Sequence, residues 1–161
     1  ASERSLIDTV SPGATDKLLA ELAAGTRVSA DQAARDKLAA TGTPTGDIRH
    51  PTLTMHTKSD PLVLVQNEDV FAREVAANPK ADGDLVQVYT VPPNTYPQDV
   101  GAPYGAGHCN FTDVSRIAVI GLMQDWVRNG IYPGTAAIAA AMGDSSGYDA
   151  VYRPGPWPAA Q

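Results

Sequence analysis

The sequence predicts an α/β fold with parallel strands, and only part of such a fold. Pro51-Thr52-Leu53-Thr54-Met55-His56 and Leu85-Val86-Gln87-Val88-Tyr89-Thr90-Val91 are short runs rich in β-branched and apolar residues, bounded by turn formers. Between them a helical pattern opens at Gln66 or Asn67, runs through Val70, Phe71, Val75 and Ala76, and closes at Asn78-Pro79. Strand, helix and strand at this spacing make a βαβ unit, so the strands should be parallel with a right-handed crossover. A third observation concerns what is missing. Parallel sheets are covered on both faces, and two strands leave open ladder groups on both sides. Residues 1–50 offer no further strand, so the chain reads as part of a larger α/β domain.

Each flanking segment follows from its own local signals. Thr15 or Asp16 can start a helix that carries Leu18, Leu19 and Leu22 and ends near Gly25. Ser29-Ala30-Asp31-Gln32 fits a capping box, and the helix it opens carries Ala33, Ala34, Lys37 and Leu38 before Thr41-Gly42-Thr43-Pro44. These helices are short and alanine-rich, so they must rest on something else. Residues 1–50 therefore read as a helical lid or cap, and residues 51–131 as the core. Pro51 suits the first position of its strand. Residues 92–106 form a long proline-rich loop, a length that in a compact domain usually serves function. Thr112 can cap a helix with Val114, Ile117, Gly121, Leu122 and Trp126 that stops at Asn129-Gly130. Residues 132–161 supply an alanine-rich helix from Thr135 to Met142 and a tail with Pro154, Pro156 and Pro158, expected to wrap over a surface.

Composition removes several function classes. The 161 residues are 43% hydrophobic and 19% charged, as in a globular protein, and no apolar run is long enough to span a membrane. A net charge of −6, with Lys and Arg scattered singly, provides no basic face for nucleic acid or for an anionic membrane surface. Ala1-Ser2-Glu3-Arg4 has no apolar core behind its charges, so no signal peptide is expected there. That leaves a cytoplasmic chain or a mature product whose leader is gone. The single cysteine, Cys109, reads first as a small buried side chain, and it does not decide the compartment.

The chemistry centres on Gly107-His108-Cys109-Asn110-Phe111-Thr112. A histidine on a glycine-rich loop just before a capped helix lies at the surface with scaffold on both sides, where catalytic groups tend to be found. Asp60, taken alone, reads as a turn aspartate before Pro61, which biases it toward an extended backbone. His56 reads as a structural histidine supporting that turn, and His50 as exposed. Three histidines at positions 50, 56 and 108 lack ligand spacing on one element, so no metal is expected. No cofactor is implied. Cys109 should point away from His108 along an extended backbone, which argues against a thiol nucleophile. Gly143-Asp144-Ser145-Ser146-Gly147 spells G-x-S-x-G, but a nucleophile elbow needs a strand before the serine and a helix after it. Here a helix pattern precedes and prolines follow, so Ser145 is read as part of a helix end.

Pro51-Thr52-Leu53-Thr54-Met55-His56-Thr57-Lys58-Ser59-Asp60-Pro61-Leu62-Val63 resembles the acid segment of a serine α/β-hydrolase, where a strand enters a short turn ending in Asp-Pro. Gly107-His108-Cys109-Asn110-Phe111-Thr112 resembles the histidine segment of that family, particularly in secreted actinobacterial esterase- or lipase-like hydrolases. The resemblance covers roughly residues 45–130, and the order acid then histidine is that of the family. It implies the C-terminal half of an α/β-hydrolase fold, a lid in the first residues, and a secreted enzyme. Asp60 and His108 would be the acid and base of a Ser-His-Asp triad. The nucleophilic serine and oxyanion hole would lie in an N-terminal half, on a separate chain or in sequence outside this one, and the substrate would be a small carboxylic ester, with amides or peptides next. Cys109 could then pair with a cysteine of that half. Two departures stand out: the interval from Asp60 to His108 is longer than usual, the excess falling in residues 92–106, and the nucleophile elbow is absent upstream of the lid. The competing class is a non-catalytic binding module with a hydrolase-like fold.

Overall fold

The computed structural model describes residues 3–93 and 107–157. The chain divides into two compact units, residues 1–43 and 44–161. The first contains α1 (Glu3–Val10), α2 (Ala14–Ala24) and α3 (Gln32–Gly42). The second contains β1 (Thr52–Thr57), α4 (Gln66–Ala77), β2 (Leu85–Thr90), α5 (Asp113–Asn129) and α6 (Thr135–Met142). Among the described residues this is a small α/β protein with six helices and a two-stranded parallel sheet.

In the first unit, local sequence did not reveal how the helices start. α1 was not anticipated as an element. α2 begins at Ala14, behind a left-handed Gly13 with φ 77°, and the Thr15 N–H donates to Asp8 Oδ1 of α1 at 3.1 Å. A cap supplied by the preceding helix leaves no mark in the residues next to α2. α3 is capped by Asp31, which accepts from the Ala34 N–H at 3.0 Å, and not by Ser29. Two residues with capping side chains stand near each other there, and the pattern of letters admits either.

The second unit is the predicted βαβ element with two helices added. β1 and β2 run parallel in the register Thr54↔Gln87 and Met55↔Val88. Side chains alternate across a strand, so Leu53 and Met55 share one face with Val86 and Val88. That face is the core. It packs against Ala118, Leu122 and Trp126 of α5 and Ile138 and Met142 of α6. Ser115, Ala118, Leu122 and Trp126 recur at helical spacing and are the buried positions of α5. The opposite face is polar. Thr54 Oγ1 donates to Glu68 Oε2 at 2.5 Å, and Gln87 Nε2 donates to the same oxygen at 2.6 Å, so α4 covers it through hydrogen bonds.

The two sheet edges differ. In this register the N–H groups of Leu53, Met55 and Thr57 point away from β2. No strand pairs there among the described residues. On the far side of β2, Val91 N–H donates to Gly147 O at 2.8 Å and Asp149 N–H to Tyr89 O at 2.9 Å, around a Thr90–Tyr148 bridge. The segment after α6 thus closes the C-terminal end of that edge. Gly147 makes this possible: its φ is 75°, and a Cβ would come within 2.5 Å of Val91 O. Ahead of the tail's prolines, Tyr152 packs edge-on against Tyr89 with centroids 5.4 Å apart, while Pro156 and Trp157 are exposed. Pro158 and most of the proline-rich loop, from residue 94 to 106, lie outside the described residues.

Candidate active site

Asp60 lies three residues beyond β1, and the turn it ends is built around its carboxylate. Oδ1 accepts from the Leu62 and Val63 N–H groups, each at 2.9 Å. Pro61 has no N–H to offer, so the chain brings the next two donors to one oxygen. Oδ2 accepts from the Cys109 N–H at 3.0 Å and from His108 Nδ1 at 2.8 Å. The side chain is 2% exposed. Burial alone would raise its pKa, but the N–H groups of Val63, Cys109 and Leu62 and the His108 ring together outweigh that. The carboxyl is therefore held well below the ordinary aspartate range and stays ionised.

His108 comes to Asp60 from 48 positions later in the chain. It stands between Gly107, with φ 76°, and α5, whose cap is the predicted Thr112. Thr112 Oγ1 accepts from the Ser115 N–H at 3.1 Å. Because an ionised carboxylate can only accept, Nδ1 carries the proton toward Asp60, and Nε2 is the acceptor nitrogen of the neutral ring. The side chain is 43% exposed, so solutes can reach it. This arrangement can take a proton at Nε2 while Asp60 stabilises the resulting imidazolium.

Cys109 departs from its expected place. Its φ is 50°, so it is not extended, and its Sγ lies 3.4 Å from His108 Nε2 and 3.6 Å from Nδ1. A left-handed residue with a Cβ costs about 1 kcal/mol or more. The thiol is free and exposed, not buried. Asp60, His108 and Cys109 bring an oxygen, a nitrogen and a sulfur within 4.8 Å of one another, a donor trio that histidine spacing alone did not suggest. Both Asp60 oxygens already accept two hydrogen bonds, so a cation here would compete with those donors for the carboxylate.

The other singled-out residues lie apart from this couple. His56 Nδ1 donates to Thr57 O at 2.8 Å, a local structural bond, and His50 is exposed. Ser145 is exposed in a 3-10 turn, Asp144–Ser146, that follows α6 directly. The strand that would strain a nucleophile elbow does not precede it. Its neighbour Ser146 is buried, donating to Gly143 O and accepting from Tyr148 N–H, both at 3.0 Å, so these letters serve the turn that reaches β2.

One contact beside the site was not foreseen. Lys58, two residues before Asp60, donates to Asp149 Oδ2 at 2.6 Å and stands 4.7 Å from the centre of the Tyr152 ring. The hydrogen bond from Lys58 holds the Asp149 carboxyl below its ordinary value. The partners are 91 positions apart, and neither carries a local signal. A scan of family models, a search of curated proteins and a search of solved structures each found no match to this chain.

Proposed function

We propose that this chain supplies the acid, Asp60, and the base, His108, of a serine-hydrolase triad that cleaves carboxylic esters. The observation that carries the reading is the 2.8 Å bond from His108 Nδ1 to an ionised, buried Asp60, which leaves Nε2 as the acceptor nitrogen of the neutral ring. A serine hydroxyl becomes a competent nucleophile when such a nitrogen takes its proton. Among the described residues, the ring's partners are Asp60 and Cys109, and neither is a serine. In this reading the nucleophile and oxyanion hole come from an N-terminal half of the same hydrolase, with residues 1–50 acting as a lid in a secreted enzyme.

Two surfaces support a partner of that kind. Among the described residues, no strand pairs with the β1 edge at Leu53 and Met55. Val114, Ile117, Ile120 and Val127 of α5 are 42%, 72%, 59% and 62% exposed. A strand added to β1 and a helix laid along α5 would extend the sheet and its cover together. The same surfaces suit the second reading, a non-catalytic interaction module, which keeps the fold and lacks a nucleophile.

Turnover by the full protein separates the two. Hydrolysis of a p-nitrophenyl ester should fall by roughly 10³-fold or more in His108→Gln. It should survive in Ser145→Ala. Absence of esterase activity in the wild type would favour the interaction module, and loss of activity in Ser145→Ala would move the nucleophile to this chain.

A further inference from the structure

We propose that Cys109 is a positioning residue for His108, holding the imidazole by its face while Asp60 holds it by its edge. The proposal rests on the reading of Asp60 and His108 as a base and its orienting acid. Three features of the one residue support it. The Cys109 N–H donates to Asp60 Oδ2 at 3.0 Å, the same oxygen that accepts from His108 Nδ1 at 2.8 Å. One carboxylate oxygen thus ties down two consecutive residues.

The second feature is the place of the sulfur. Sγ is 3.4 Å from Nε2 and 3.6 Å from Nδ1. A thiol bonded in the ring plane to one nitrogen would stand much farther from the other. Nearly equal distances instead put the sulfur over the ring face, where a polarizable thiol packs favourably. A single Nδ1–H···Oδ2 bond leaves the ring free to tilt about that bond, and a sulfur against the face removes this freedom. The restraint matters because the His108 side chain is 43% exposed.

The third feature is the backbone. Cys109 is the non-glycine residue with positive φ among the described residues, at 50°. An extended residue 109 would send its side chain away from that of residue 108. The left-handed turn folds Sγ back over the preceding ring, and strain of this kind tends to persist where a site requires it.

The test is histidine-selective ¹⁵N NMR on the full protein, with His108 assigned through His108→Gln. Cys109→Gly keeps the N–H donor, suits φ 50° and removes the side chain with its sulfur, and relief of the strain should let it fold. The expected result is that its His108 Nδ1–H proton exchanges with water about tenfold faster than in wild type, with broadened ring nitrogen signals. Cys109→Ala, which keeps the backbone strain, should show the same loss and serves if the glycine variant does not fold. Exchange and ring signals unchanged in both variants would overturn the positioning role. If the wild type shows no protected Nδ1–H and Asp60→Asn alters nothing, the Asp60–His108 couple itself fails, and the positioning role with it.

Discussion

At the scale of single residues, Asp60 is the most constrained group in the site. Four donors meet its two oxygens, and its folded pKa lies below its unfolded value. A group shifted in that direction stabilises the fold fully above its unfolded pKa, about 4, and loses the contribution as pH falls through the lowered folded value. The unfolding free-energy gap between wild type and Asp60→Asn should therefore shrink as pH falls below about 4, as read by urea titration at each pH. A gap that fails to shrink below about 4 would contradict the assigned bonds. The Asp60 and His108 pairing was expected from the resemblance of their two segments to those of a hydrolase, not from either residue alone, and the two side chains do meet at 2.8 Å. The place of Cys109 was not, since a left-handed φ at a residue with a Cβ has no composition signal.

At the scale of elements, the helices and strands of the second unit were read closely and those of the first less so. α5 and α6 fall where Thr112, Gly130 and the alanine run put them, because cap, periodicity and stop signal agree. Thr112→Ala removes the bond to the Ser115 N–H and should cost about 1 kcal/mol of stability by denaturant unfolding. Trp126 stands 7% exposed between the sheet and Tyr132, and Trp126→Ala should cost about 3–5 kcal/mol. The α2 cap was missed because Asp8 belongs to another helix, and the Tyr148 bridge because one residue pair leaves no periodic trace. Gly147 reports on that bridge. An alanine there meets both a positive φ and Val91 O, so Gly147→Ala should lower the melting temperature by several degrees or more.

At the scale of the whole molecule, the open side of β1 and the exposed stripe of α5 belong to the same question. Hydrogen exchange on the isolated 161-residue chain should show Leu53 and Met55 amides exchanging faster than those of Thr54 and His56, which donate to β2. If the proposed N-terminal half pairs with the β1 edge, the difference should vanish on its addition. The two parallel strands were legible in the sequence because each is a short β-branched run bounded by turn formers. The most direct test of the triad is denaturing mass analysis and peptide mapping of the full protein after treatment with a fluorophosphonate. The expected result is one label on a serine outside residues 1–161, on a separate chain or a contiguous one, lost in His108→Gln. A folded protein that takes no label would contradict the split active site, and a label on the 16.8 kDa chain at Ser145 would contradict it in a different way.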